Sequence, residues 1–63
     1  MRVNGQIVAY EPITLLAYLE REGFGVAHVI VERNREIVTR ERFGEVTLGP
    51  EDEINILRFM GGG

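Results

Sequence analysis

Residues 11–23, EPITLLAYLEREG, decide the fold, because the hydrophobic period of the chain changes within them. Pro12 has no amide hydrogen for a sheet ladder and ends the preceding strand. Thr14 is a suitable helix N-cap, and Gly23 is a suitable residue for the left-handed position after a helix. Between them, apolar residues at i, i+3 and i+4 share one helical face: Leu15, Tyr18 and Leu19. We predict a helix of about two and a half turns, too short to be stable without a sheet to pack on.

The residues before this stretch predict a β-hairpin. Residues 1–3 and 6–9 flank Asn4-Gly5, the strongest sequence signal for a two-residue turn, since both residue types tolerate positive φ. We expect Val3 and Ile7 to share one face of the hairpin.

The residues after the helix predict several extended segments. Residues 26–32 are rich in β-branched side chains and form a strand. One face is expected to carry Ala27, Val29 and Val31, and the other His28, Ile30 and Glu32. A polar turn at 33–35 precedes a short return strand at 36–38. Residues 39–43 form a turn or a single helical turn that brings Phe43 to the edge of the core, and residues 46–48 are briefly extended.

The last segment is a loop at 49–53 followed by a strand at 54–59, with Ile54 and Ile56 facing inward. The acidic run 51–53 either steers a basic partner or forms a solvated turn. The order of hairpin, helix and further strands predicts a right-handed crossover back to the same sheet. We therefore predict an α+β fold of the β-grasp (ubiquitin-like) type, with one helix across a mixed sheet of four to five strands.

Composition excludes several classes of protein. The 63 residues contain no cysteine and a single histidine, His28, so neither a disulfide framework nor a thiolate metal site is expected. The net charge of −3 argues against nucleic-acid binding. No signal peptide and no apolar run long enough to cross a membrane is evident, and we expect a cytoplasmic protein with no bound cofactor.

The terminal residues Gly61, Gly62 and Gly63 add nothing to a packed core, because glycine has no side chain. Two interpretations remain open at this point. The tail is an unstructured end or linker, or a narrow tether that presents a carboxylate to another protein's active site. We expect residues 1–59 to form the domain and residues 60–63 a flexible tail.

The order and spacing of several motifs resemble the ThiS family of sulfur carriers, ubiquitin-like proteins of thiamin biosynthesis. The resemblance extends over most of the chain. Its parts are the hairpin at 3–6, the threonine-capped helix at 14–19, the central stretch 29–43 and the end 51–63. Four positions depart from the family pattern and affect local loop geometry: Arg35 for glycine, Thr39 for proline, Phe43 for tryptophan and Glu51 for glycine.

The resemblance implies that Gly63 is the modified residue and that Gly61 and Gly62 pass through a partner's channel. It implies three partners: an adenylyltransferase similar to ubiquitin-activating enzymes, which uses ATP; a sulfur donor such as a cysteine desulfurase; and thiazole synthase. The chain would then be a protein co-substrate and not an enzyme. Leu57, Phe59 and Met60 are the predicted docking residues, since Leu57 and Phe59 alternate with the inward-facing isoleucines; alternatively, Phe59 folds back over the sheet edge.

Other functions remain open from the sequence. The nearest is a carrier like the small subunit of molybdopterin synthase, although residues 59–61 lack the prolines of that family's ending. A ubiquitin-like protein modifier and a non-catalytic interaction module are the others.

Overall fold

A computed structural model of the chain describes residues 1–59. It contains a five-stranded mixed sheet and one α-helix. The elements are β1 (Arg2–Val3), β2 (Gln6–Ile7), α1 (Leu15–Arg21), β3 (Val29–Arg33), β4 (Glu36–Val38) and β5 (Glu53–Arg58), with short 3₁₀ turns at Val26–His28 and Arg40–Arg42. The strand order is β2-β1-β5-β3-β4, and only the β1–β5 pair is parallel. The prediction of a mixed sheet with one main helix is confirmed.

The helix begins and ends where its capping residues predict. The Thr14 hydroxyl oxygen accepts the amide of Ala17 at 3.1 Å. At the other end Gly23 has φ +83°, and the amides of Gly23 and Phe24 donate to the carbonyls of Glu20 and Leu19. This pair of bonds is a Schellman motif, which satisfies carbonyls that the last turn leaves free. The α-helix is shorter than predicted, seven residues, because Glu22 already leaves it as the C-cap.

The N-terminal hairpin forms at Asn4-Gly5, but one expectation about its faces is wrong. A two-residue turn pairs Val3 with Gln6 and Arg2 with Ile7. Val3 is therefore buried, whereas Ile7 is 79% exposed on the opposite face. Spacing of four residues along the chain does not give a shared face when a turn lies between them.

The strand predicted at 26–32 begins three residues later. Residues Val26–His28 form a 3₁₀ turn, closed by the bond from the His28 amide to the Gly25 carbonyl at 2.8 Å. The β-branched content of the segment did not reveal this turn, and Ala27 is exposed outside the sheet. Val29 and Val31 are buried and Ile30 is exposed, which confirms that they lie on opposite faces as predicted. The following turn is Asn34-Arg35 alone, because Arg33 pairs with Glu36 within the sheet.

The core lies between α1 and the inner face of the sheet. Its fully buried side chains are Phe43, Leu15, Leu19, Leu48, Ile54 and Val31. The single turn at Arg40–Arg42 is one of the two predicted alternatives, but Phe43 after it is fully buried within the core and does not lie at its edge. Among residues 1–59 no helix has the length and hydrophobicity needed to span a bilayer.

Candidate functional site

The strand β5 leads directly towards the glycine tail and occupies the centre of the sheet. It pairs in parallel with β1 and in antiparallel fashion with β3. Its pairing with β3 runs as far as Arg58 opposite Val29, and the Phe59 amide then donates to the His28 carbonyl at 3.0 Å. The backbone is therefore tied to the sheet up to the residue just before the tail predicted at 60–63.

Leu57 lies on the outer face of the sheet, opposite the helix. Ile54 and Ile56 are buried, as predicted, so Leu57 between Ile56 and Arg58 faces away from the core and is 60% exposed. Its cross-strand partner is Ile30, which is also exposed. The two side chains form a small apolar pair on the open face, close to the end of β5.

Phe59 is 44% exposed and packs against His28, with ring centroids 6.3 Å apart in an edge-to-face arrangement. Two shallow hollows lie beside it. The first, of about 290 Å³, is lined by Val26, Ala27, Val29, Ile30, Arg40, Glu41 and Phe59. The second, of about 230 Å³, is lined by Gly25, His28, Val29, Arg58 and Phe59. We call Phe59 together with the residues of both hollows the Phe59 surface.

Arg58 approaches the same surface from the last position of β5. Its guanidinium carbon lies 4.6 Å from the centre of the ring of Phe24. Phe24 directly follows Gly23, the glycine after the C-terminus of α1. A guanidinium held over an aromatic face in this way is attracted by the ring quadrupole. The cap of α1 and the end of β5 thus hold a positive charge beside Phe59.

Asp52, immediately before β5, is a structural residue that the sequence interpretation missed. Its carboxylate accepts hydrogen bonds from Gly49 N at 2.7 Å, Arg33 Nε at 2.8 Å and Asn34 Nδ2 at 3.0 Å. Burial would raise the pKa of Asp52, but these bonds and the charge of Arg33 together lower that pKa below its ordinary value. Residues 51–53 were predicted either to steer a basic partner or to form a solvated turn, and neither role fits the buried, hydrogen-bonded Asp52.

The alternation of inward-facing and outward-facing residues along β5 could have revealed the structural role of Asp52. Asp52 has the same parity as Ile54 and Ile56, and all three are buried. The bonds of Asp52 join the loop before β5 to the turn between β3 and β4. They fix where β5 begins, and hence the register that carries Leu57 and Phe59 to the surface.

The other predicted site residues lie outside the described part of the chain. These are Met60, Gly61, Gly62 and Gly63. Their roles, and the docking roles of Leu57 and Phe59, stay predictions. Within residues 1–59 no three acidic or histidine side chains are grouped as a metal site would require.

Comparison with known proteins identifies relatives for the whole chain. The sequence profile of the ThiS family matches residues 1–63. The sulfur carrier protein ThiS of Bacillus subtilis is 41% identical over 68 aligned positions, which cover 100% of this chain and 98% of that protein. A thiazole synthase of Magnetococcus marinus is 42% identical over 50 positions, covering 79% of this chain and only 15% of that protein.

Solved structures show the same arrangement. The crystal structure of the thiamine biosynthesis protein ThiS from Geobacter metallireducens superimposes with a TM-score of 0.77 at 32% identity, covering 98% of this chain and 96% of that one. An NMR structure of a thiamine biosynthesis protein from the same organism gives 0.75 at 32% identity, covering 98% and 85%. These neighbours confirm the predicted β-grasp fold. Since the family profile and a relative of matching length both extend over the whole sequence, the chain belongs to the ThiS family.

Proposed function

We propose that this protein carries sulfur as a thiocarboxylate on Gly63 and delivers it to thiazole synthase in thiamin biosynthesis. The observation that carries the proposal is the match to the ThiS family, which includes the glycine residues at 61–63. The near-complete coverage of the Bacillus subtilis sulfur carrier supports it. In this proposal the folded domain of residues 1–59 is the part that partners bind, and the modified group follows it in the sequence.

The chemistry explains why a carboxylate on glycine suits this role. A carboxylate is a poor acyl donor, because oxide would have to leave. Attack of a Gly63 carboxylate oxygen on the α-phosphorus of ATP expels pyrophosphate and gives an acyl-adenylate, whose AMP is a good leaving group. The terminal sulfur of a persulfide on the sulfur donor then forms a C–S bond as the C–O bond to AMP breaks. A second thiol attacks the S–S bond of the resulting acyl disulfide, forms a disulfide with the donor and releases the thiocarboxylate. Glycine, without a Cβ, leaves the acyl carbon open to attack.

The partners follow from these steps. An adenylyltransferase similar to ubiquitin-activating enzymes would bind ATP, and a cysteine desulfurase would supply sulfur. Thiazole synthase as the acceptor is supported by the Magnetococcus marinus relative, in which a segment similar to most of this chain is part of a protein named thiazole synthase. The chain would act as a recycled co-substrate in the cytoplasm, with no catalytic side chain of its own.

The docking surface proposed for these partners is the end of β5, with Leu57, Phe59 and Met60. Leu57 and Phe59 are exposed although both are apolar. Exposed apolar side chains grouped beside a functional end of the chain are typical of partner surfaces. The backbone bond from Phe59 to His28 would hold this surface fixed while the tail enters a partner's active site.

Intact-mass analysis tests the proposal. The protein is incubated with the adenylyltransferase of the same source, ATP, a cysteine desulfurase and cysteine, and one oxygen should be replaced by sulfur. A variant without Gly63 and a variant with one residue appended after Gly63 are the matched controls, and neither should gain sulfur although both should melt like the wild type. No mass change in the wild type would contradict the carrier function, and covalent adducts with lysines of other proteins would favour a protein modifier.

A further inference from the structure

We propose that the Phe59 surface binds a protein partner that presents an apolar side chain flanked by carboxylates, with Arg40 and Arg58 receiving the carboxylates. The inference rests on the proposed function and assigns this surface to thiazole synthase, because the Magnetococcus marinus relative of that name contains a segment similar to this chain. It concerns what the surface recognises, beyond the apolar docking already proposed. Three observations support it: the charge pattern, the geometry of Arg58 and the shape of the surface.

The charge of this surface is opposite to that of the chain. The protein carries a net charge of −3, with seven arginines and no lysine. Three arginines are engaged in ion pairs: Arg21, Arg33 and Arg42. Within residues 1–59 neither Arg40 nor Arg58 forms an ion pair, and each lines one of the two hollows beside Phe59. Each hollow therefore places one unpaired cation beside the same aromatic side chain, in a protein whose net charge is negative.

Arg58 is held in a geometry suited to a carboxylate. Stacking over Phe24 occupies the face of the guanidinium, whereas carboxylates bind the N–H groups along its edge. A charge that is already ordered loses less conformational entropy when it binds. The edge of the guanidinium can therefore make a bidentate contact with an acidic side chain.

Glu41 allows a test in which removal of a charge should strengthen binding of the partner. Its side chain lines the same hollow as Arg40, so it places a negative charge where the proposed partner would place another. A carboxylate there repels an acidic partner and attracts a basic one. Removal of the Glu41 charge should strengthen binding, whereas removal of the Arg40 or Arg58 charge should weaken it.

The shape of the surface provides for the apolar part of the partner. Phe59 and Val29 line both hollows, of about 290 and 230 Å³, and Val26 and Ile30 add apolar wall to the first. Phenylalanine and arginine are both enriched in protein interfaces relative to the rest of the surface. An apolar side chain inserted beside Phe59 would bring flanking residues of the partner to the two arginines.

Binding of the purified thiazole synthase of the same source, measured by isothermal titration calorimetry at two salt concentrations, tests the proposal. Arg40→Gln and Arg58→Gln should each raise Kd by about fivefold, as expected for a partly exposed ion pair. Both should also make Kd less dependent on salt. Glu41→Gln should lower Kd, and Arg35→Gln, an exposed arginine in the β3–β4 turn outside the surface, is the matched control and should leave Kd unchanged.

The outcomes separate this inference from the proposed function. Melting curves of the variants exclude loss of folding as the cause of weaker binding. If the wild type gains sulfur in the mass assay but Arg40→Gln and Arg58→Gln bind like the wild type, the inference is overturned and the carrier function stands. If Arg35→Gln weakens binding as much as they do, only net charge matters and the inference is also overturned. A wild type that neither gains sulfur nor binds thiazole synthase overturns both.

Discussion

Substitution of Arg35 by glycine should stabilise the protein, although it deletes a charged side chain. Arg35 occupies the second position of the two-residue turn between β3 and β4, with φ +71°, after Asn34 with φ +52°. Such a turn needs positive φ at both positions, which is why Asn-Gly is its preferred sequence. Asparagine tolerates the left-handed region through local hydrogen bonding, but arginine does not.

The magnitude follows from two opposing contributions. The left-handed conformation costs an ordinary residue about 1–2 kcal/mol, and glycine in the unfolded chain loses about 0.5–1 kcal/mol more entropy on folding. The Arg35 side chain makes no ion pair within residues 1–59, so little else is lost. We expect a gain of about 0.5–1 kcal/mol, which for a domain of this size raises Tm by about 3–6 °C.

Thermal and urea unfolding followed by circular dichroism measure this gain, and the chain offers matched controls. Arg35→Ala removes the same charge but keeps the strained backbone, so it should change stability little. Gly5 occupies the corresponding position of the first hairpin with φ +83°, and a Cβ there would meet no atom within 4 Å. Gly5→Ala should therefore destabilise by about 0.5–1 kcal/mol through the backbone alone. If Arg35→Ala stabilises as much as Arg35→Gly, the gain comes from charge and the reasoning is refuted.

Three further predictions concern the helix cap, the buried carboxylate and the outer face. Thr14→Ala should lower the free energy of unfolding by about 1 kcal/mol in urea while Thr14→Ser retains it, and an equal loss in both would exclude the cap as the cause. Hydrogen bonding lowers the pKa of Asp52 in the folded state. The ionised carboxylate therefore contributes to the free energy of unfolding above the unfolded pKa of about 4, and this contribution is lost as pH falls through the folded pKa. Asp52→Asn should therefore destabilise at neutral pH by about 1–3 kcal/mol and flatten the acid limb of the stability profile, and an unchanged limb would contradict this. Leu57→Asp should slow sulfur transfer to thiazole synthase without lowering Tm. Ile7→Asp also places a charge at an exposed apolar position, but on the edge strand β2, and it should not slow the transfer. Equal effects of the two substitutions would argue against a local docking surface.

Features with a local physical cause were predictable from the sequence. The Thr14 cap, Gly23 after the helix and the Asn4-Gly5 turn each depend on one or two residues with strong backbone preferences. The inward positions of Ile54 and Ile56 followed from the alternation of a strand. The resemblance to the ThiS family, made from motif order and spacing, is confirmed by the comparisons.

Other features were missed, some of them local and some dependent on contacts distant in sequence. The face of Ile7 is a local error, because the two-residue turn at Asn4-Gly5 pairs Arg2 with Ile7 and Val3 with Gln6. The turn at Val26–His28 follows the helix cap and is not visible in β-propensity. The role of Asp52 depends on Arg33 and Asn34, which approach it only after β3 and β5 have paired. The orientation of Phe59 depends on His28, its neighbour across the sheet.

The central position of β5 has a consequence for how the protein is made. The β1–β2 hairpin and the β3–β4 hairpin do not pair with each other, and β5 is the strand that joins them. During synthesis both hairpins leave the ribosome before Glu53–Arg58, so the sheet cannot close until that strand has emerged. In a nascent or proteolysed chain that stops short of Arg58, the two hairpins would not be paired within one sheet. Such fragments would expose unpaired strand edges, which makes incomplete chains prone to aggregation.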